Sequence, residues 1–281
     1  MTYPAIDPHG AVVLITGGGR GIGLATAELF ARHGAIVCVA DLDGAAATEA
    51  AQSIGPQAFP YTADVSSAGS FSDCVRAVLD SFGRIDVLVN NAGVMPLGDF
   101  LAEPEATSRT TIDVNLWGPV HGMRLVLPHM ISRRRGHIVN VASMAGKIPI
   151  PGMAVYNASK FAAVGLSAAV RAEFAPTGVS VSTVLPSAVR TRLSSGVPLG
   201  RGLPTVSPST VATAIFRTLA TRRAEVPVPR YLAAWDLLNA LTPEPLMRSA
   251  RRLIGDRRAL TSVDPTARAA YEQSIADQAA G

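Results

Sequence analysis

Cysteine, lysine and charge of either sign are scarce in these 281 residues, and each scarcity excludes something. Two cysteines, Cys38 and Cys74, cannot build a disulfide framework. Cys38 lies in an apolar run, and both read as buried, reduced thiols of a cytoplasmic protein. No cationic segment leads into an apolar stretch between Met1 and Gly10, so no secretory signal is expected. No uncharged apolar run reaches the roughly 18 residues that span a bilayer. The longest, around Val155 to Val170, is interrupted by Lys160. The five histidines (His9, His33, His121, His129, His137) have no metal-ligand spacing, and no metal is expected. Charged residues make up only 16% of the chain against 48% hydrophobic, which excludes a disordered chain. The net charge of +4 argues against a nucleic-acid binder.

What is present is an alternation. Apolar runs at Ala11–Ile15, Ile36–Asp41, Ala58–Ala63, Ile85–Val89, Gly136–Val141 and Val179–Leu185 read as strands. Between them lie helical patterns at Ile22–His33, Ser70–Phe82, Glu105–Ile131 and Tyr156–Phe174. The strands are continuous apolar runs, which suits a parallel sheet buried on both faces. The pattern predicts a doubly wound α/β sheet, a three-layer α/β/α single domain. Ligands on such sheets bind at the carboxyl ends of the strands. Pro186 to Pro208 reads as a long loop, with 187–208 expected to border the substrate. A helix at Val211–Thr221 and an edge strand at Ala224–Pro229 follow. The domain is expected over 1–230, with 231–281 a helical C-terminal extension packed on it.

The first strand runs into Thr16-Gly17-Gly18-Gly19-Arg20-Gly21-Ile22-Gly23, with glycines spaced GxxxGxG. Such a turn lets backbone approach a phosphate at a helix N-terminus. Asp41 ends the second strand, where an acid would hold the ribose hydroxyls of NAD and repel the 2′-phosphate of NADP. It could equally cap the next helix. Arg20 pulls the other way, since a guanidinium suits a 2′-phosphate. Asp41 is weighted more heavily, and NAD is expected over NADP.

Three further pieces fall after later strands: Asn90-Asn91-Ala92-Gly93, Ser143, and Tyr156-Asn157-Ala158-Ser159-Lys160. The chain has only two lysines, Lys147 and Lys160, so composition alone would place a Tyr-x-x-x-Lys pair about 0.04 times. With the glycine turn, these pieces in this order resemble the single-domain short-chain dehydrogenases/reductases over roughly Ala11 to Thr191. The 13-residue separation of Ser143 and Tyr156 also fits that pattern. On a helix Lys160 stands beside Tyr156, and its charge would favour the phenolate of a group with an ordinary pKa near 10. Tyr156 could then act as general acid or base, while Ser143 orients the substrate oxygen. The resemblance implies that Asn115 supports a water relay to Lys160. It further implies that Asp64 and Val65 meet the adenine, and that Asn91, Ala92 and Gly93 line the ribose and nicotinamide. Pro186, Val189 and Thr191 would meet the carboxamide or pyrophosphate. Ser187 stands where the family has glycine.

Residues expected to face the substrate are Met95, Pro96, Leu97, Met144, Ile148, Ile150, Met153, Leu193, Val197 and Leu203. Nearly all are apolar, which predicts a lipophilic secondary alcohol or ketone. Small residues on the Tyr156 helix (Ala162, Ala163, Gly165, Ala168, Ala169) and the resemblance predict a homo-oligomer, a dimer or tetramer. Leu246 to Leu260 mixes apolar residues with five arginines. It reads as an amphipathic helix on its own domain, with contact to an anionic membrane surface as the rival. The alternatives to a dehydrogenase are a non-catalytic NAD sensor and a membrane-surface interaction protein.

Overall fold

The structure, a computed structural model, describes residues 3–197, 205–243, 260 and 263–280. Leu203 and the stretch from Leu246 up to Leu260 therefore lie outside the described residues.

Seven parallel strands form one sheet in the order β3-β2-β1-β4-β5-β6-β9. They are β1 (Val12–Thr16), β2 (Ile36–Asp41), β3 (Ala58–Thr62), β4 (Val87–Asn90), β5 (Gly136–Val141), β6 (Val179–Pro186) and β9 (Glu225–Val228). Side chains alternate across the sheet. Val13 and Ile15 of β1 join the core on one face, whereas Val12 and Leu14 join the other. Helices α1 (Gly21–Arg32), α2 (Gly44–Ile54) and α7 (Pro208–Thr221) cover the first face. Helices α3 (Ala68–Phe82), α5 (Gly118–Ser132) and α6 (Ala154–Phe174) cover the second. Both faces are dry, which is why the strands read as unbroken apolar runs. The order reverses between β1 and β4, so a crevice opens above their carboxyl ends. The two thiols sit inside this core, where burial pushes Cys38 and Cys74 up to about 12.

Three local features differ from the sequence expectation. The single helix expected over Glu105–Ile131 is two helices, α4 (Glu105–Ile112) and α5, joined by a π-helical turn at Asp113–Trp117. Asn115 sits in this widened turn with its side-chain amide bonded outside the helix (below), and turns such as this mark functional positions. The loop expected over Pro186–Pro208 contains β7 (Ala188–Val189) and β8 (Thr205–Val206), paired in parallel. Asp43, not Asp41, caps α2, accepting from the N–H groups of Ala45 and Ala46. The C-terminal part begins with α8 (Trp235–Leu241) and ends in α9 (Pro265–Ala280), which lies against α4.

His137 of β5 is fully enclosed. Nδ1 lies 2.8 Å from Ser180 Oγ, and Nε2 lies 2.8 Å from Thr218 Oγ1. Burial, then the nearby Arg222 charge, hold its pKa well below 6.5. The unfolded chain binds this proton below its ordinary pKa and the folded chain does not, so stability is present above about 6.5 and falls as pH drops. One such proton accounts for about 1.4 kcal/mol per pH unit. We expect the urea midpoint to fall between pH 6.5 and 5, and to fall less steeply in His137→Gln. An equal slope in the two proteins would remove His137 as the cause.

Candidate active site

The glycine turn after β1 works by close approach of backbone to backbone. Gly17 has φ +60°, and a Cβ there would lie 2.9 Å from Ala92 Cα. A Cβ on Gly23 would lie 2.0 Å from the Gly17 carbonyl oxygen, so no side chain fits. Asn91 ties the turn to the end of β4, its Nδ2 donating to the carbonyls of Thr16 (2.9 Å) and Gly17 (3.0 Å). Thr16 Oγ1 accepts from the N–H groups of Asn91 and Ala92. No side chain caps α1, whose N-terminus opens on the crevice. That geometry, with glycine where a Cβ would intrude, fits a dinucleotide phosphate.

At the end of β2, Asp41 is held from two sides. Its Oδ2 accepts from Gly19 N–H (2.9 Å) and its Oδ1 from Asp43 N–H (3.1 Å). Arg20 turns away and pairs with Asp43 at 2.5 Å. Both partners of that pair are about half exposed, so it contributes at most about 1 kcal/mol. Asp41 is thus a fixed carboxylate, and Arg20 a weakly committed cation.

On the other side of the crevice, Tyr156 and Lys160 share one face of α6 and are both buried. Lys160 Nζ stands 5.6 Å from the centre of the Tyr156 ring. It also reaches Val141 O at 3.5 Å, the limit of a hydrogen bond. Burial pushes the Tyr156 phenol up to about 12, and a hydrogen bond with Ser143 acts in the opposite direction. Burial also brings Lys160 down to about 8. The sequence expectation was a lowered phenol. Within the protein alone, loss of water outweighs the neighbouring ammonium. Ser143 Oγ accepts from Ala145 N–H at 3.1 Å, which fixes its side chain at the start of a short helical turn.

Asn115 clamps the chain after β4. Its Oδ1 accepts from Val94 N–H and its Nδ2 donates to Val94 O, both at 2.9 Å. Nδ2 also donates to Ser159 Oγ at 3.1 Å. A Cβ on Gly93 would lie 3.1 Å from Asn115 Oδ1 and 3.5 Å from Lys160 Nζ, so these two groups flank one backbone atom.

One cavity of about 460 Å³ joins the two sides, from Asp41 and Asp64 to Ser143, Tyr156 and Lys160. A model of the short chain dehydrogenase family matches residues 11–200. The chain belongs to the short-chain dehydrogenase family. It is 32% identical to estradiol 17-beta-dehydrogenase 11 of Rattus norvegicus over 251 residues, covering 87% of this chain and 84% of that protein. It is 35% identical to oxidoreductase UcpA of Salmonella typhimurium over 223 residues, covering 78% and 84%. A short-chain dehydrogenase/reductase from Burkholderia phymatum, solved in complex with NAD, superposes with a TM-score of 0.76 at 27% identity, covering 83% of this chain and 93% of that one. A 3-ketoacyl-(acyl-carrier-protein) reductase from Brucella melitensis, solved with NADH, superposes with a TM-score of 0.73 at 30% identity, covering 79% and 97%. As a short-chain dehydrogenase, the protein is an oxidoreductase.

Most residues singled out in the sequence line this cavity; Gly23, Asn115 and Pro96 do not. Met95, Met153, Leu97, Ile150, Leu193 and Val197 gather around Tyr156 as one apolar cluster. Met144 and Ile148 touch the cavity but pack in a separate cluster with Leu232 and Trp235. Asp64 spends its carboxylate on Ser66, accepting from its N–H and hydroxyl, so its place beside the cavity is structurally set. Thr191 sits against Gly21, with its Cγ2 3.2 Å from where a Cβ would be.

Sequence reasoning missed the contribution of the C-terminus. Tyr271 and Gln278 of α9, and Trp235 of α8, line the same cavity. The signal was weak but present: Arg268, Tyr271 and Ile275 fall at i, i+3 and i+7, and all three are buried.

Gly23→Ala is expected to abolish dinucleotide binding measured by calorimetry. Gly165→Ala, at a helical glycine with nothing within 4 Å, should leave binding unchanged. Normal binding by Gly23→Ala would overturn the close-approach argument.

Proposed function

We propose that this short-chain dehydrogenase transfers reducing equivalents between NAD and a lipophilic secondary alcohol or ketone. The observation that carries the reading is a single cavity lined by Ser143, Tyr156 and Lys160 at one end and by Asp41 at the other, with the Lys160 ammonium 5.6 Å from the centre of the Tyr156 ring. When bound, the nicotinamide would accept hydride from the alcohol carbon or return it to the ketone. Ser143 donates a hydrogen bond to the substrate oxygen and holds it against Tyr156. Tyr156 takes the hydroxyl proton in oxidation and returns it in reduction. Lys160 keeps a positive charge beside the phenol around neutral pH, and further positive charge beside the ring would lower the phenol pKa. Asn115, fixed by Val94, holds the wall next to Lys160 and supports a water path to its ammonium.

At the other end, Asp41 takes the two ribose hydroxyls and disfavours a 2′-phosphate, giving NAD preference over NADP. Gly17, Gly21, Ile22 and the α1 N-terminus would hold the pyrophosphate, together with Thr191. Asp64 and Val65 would border the adenine. Asn91, Ala92 and Gly93 would line the ribose, and Pro186 and Val189 the nicotinamide. The apolar cluster around Tyr156 supports a lipophilic substrate. That reading sits with the estradiol-acting relative rather than with the galactitol 2-dehydrogenase of Agrobacterium fabrum, to which the chain is 38% identical over 179 residues.

The reading takes 1–230 as the catalytic domain and 231–281 as its C-terminal extension. It includes a homo-oligomer through the outer face of α6, where Phe161, Gly165, Ala168 and Ala169 are exposed beside Trp117. A cytoplasmic location is in keeping with two free, buried thiols. No described helix is long and apolar enough to cross a membrane.

Nicotinamide absorbance, followed with NAD or NADP across a panel of lipophilic alcohols and ketones, tests this. Tyr156→Phe is expected to lower turnover by about 10²- to 10⁴-fold while keeping NAD binding. Asp41→Ala is expected to bring the NADP and NAD preferences together. Ser143→Ala removes the hydrogen bond that lowers the Tyr156 pKa, so the rise of alcohol oxidation with pH should move to higher pH. Full turnover by Tyr156→Phe would overturn the reading.

A further inference from the structure

The segments that carry the apolar residues around Tyr156 come from two distant parts of the chain. Met95 and Leu97 follow β4, and Leu193 and Val197 follow β7. One side chain touches both segments, and it lies beyond the 11–200 stretch that the family model matches. Arg268 of α9 is 2% exposed. Its Nη1 donates to the carbonyls of Leu193 (3.2 Å) and Ser195 (3.1 Å), and its Nη2 donates to the carbonyl of Met95. Its Nε pairs with Glu272 on the same helix, which offsets part of the buried charge. The guanidinium also lies 5.0 Å from the centre of the Tyr271 ring.

Neighbouring contacts bind the same three parts together. Tyr271 Oη accepts from Met95 N–H at 2.9 Å, and Asp264 N–H donates to Gly196 O at 2.8 Å. Tyr271 lines the cavity and lies close enough to Tyr156 for the charge of a Tyr156 phenolate to oppose ionisation of Tyr271. Three carbonyls in fixed directions match a planar guanidinium and not a compact ammonium.

We propose that Arg268 is a positioning residue for the substrate end of the active site. It fastens α9 across the Met95 and Leu193 segments, so that the C-terminal helix is a wall of the substrate cavity and sets the size of the substrate accepted. The catalytic part of this proposal rests on the dehydrogenase reading. The mechanical part does not.

The test therefore has two arms, made on the full chain with Arg268→Ala and Arg268→Lys. In hydrogen exchange, the amides of Met95 and Asp264 should exchange at least about tenfold faster in Arg268→Ala, because the helix that protects them opens locally. The amide of Ile36, bonded to Ala11 O inside the sheet, should not change. In steady-state kinetics, KM for a bulky alcohol should rise by about tenfold, with kcat and NAD affinity held within about threefold, as for lost uniform binding. KM for a small alcohol should change far less. Arg268→Lys should fall near Arg268→Ala in both arms. Unchanged exchange at Met95 and Asp264 would overturn the latch. Faster exchange with unaltered KM for every alcohol would overturn its role at the substrate end. Faster exchange at Ile36 as well would reduce Arg268 to a general fold residue. Absence of turnover in the parent protein would count against the dehydrogenase reading, and the exchange arm would still decide the latch.

Discussion

The approach of the Gly23 Cα to the Gly17 carbonyl is the constraint on which the rest of the crevice depends. It brings the N-terminus of α1 down onto the end of β1, leaving no space for a Cβ between them. The same turn presents the Thr16 and Gly17 carbonyls to the Asn91 amide, which pins the end of β4 beside β1. The topological switch point lies between these two strands. The segment that leaves β4 starts from that pin and is then held by Asn115 at Val94 and by Arg268 at Met95.

Burial acts on the two reactive groups in opposite senses. It raises the Tyr156 phenol and lowers the Lys160 ammonium, so both are pushed toward their neutral forms. A phenol raised to about 12 is by itself unsuited to proton transfer near neutral pH, whereas an ammonium near 8 is not. Together they make a pair whose charges depend strongly on what is added beside them, because the same low dielectric that penalises a lone charge strengthens every interaction with a new one. Ser143 is fixed by the Ala145 N–H in the same cavity as Tyr156, so its side chain is set before any ligand arrives.

The strand pattern, the glycine turn, Asp41 and the Tyr156–Lys160 pair were legible in the sequence because each is local. A strand buried on both faces must be apolar throughout, a phosphate turn must be glycine-rich, and i,i+4 partners must share a helix face. The features that were not legible depend on contacts distant in sequence. The π-helical turn at Asp113–Trp117 carries Asn115, whose side chain reaches back to Val94, a contact that no window around residue 115 reveals. The cap candidate Asp41 lies too far ahead of α2, which starts at Gly44; Asp43, directly before the helix, caps it, while Asp41 accepts from the N–H groups of Gly19 and Asp43. The direction of the Tyr156 pKa shift required knowing how completely the ring is enclosed, part of it by Met95 and Leu97 about sixty positions before it and by Leu193 and Val197 about forty positions after it.

The C-terminal helix shows why the substrate end is the hardest part to read. The dinucleotide half is built from consecutive βα junctions, so its residues recur at the ends of strands. The substrate half is assembled from a segment after β4, a segment after β7 and a helix that begins at Pro265. No periodicity links them, and their coherence comes from backbone carbonyls, which carry no sequence identity, converging on one guanidinium. A buried arginine satisfied by carbonyls is costly to misplace, since an unsatisfied charge in a dry site is far more unfavourable than a lost surface contact. The arrangement therefore favours one docked position of α9 over a spread of loose ones. A substrate cavity whose dimensions depend on a single docked helix discriminates by shape, through chain segments that can change without disturbing the dinucleotide crevice.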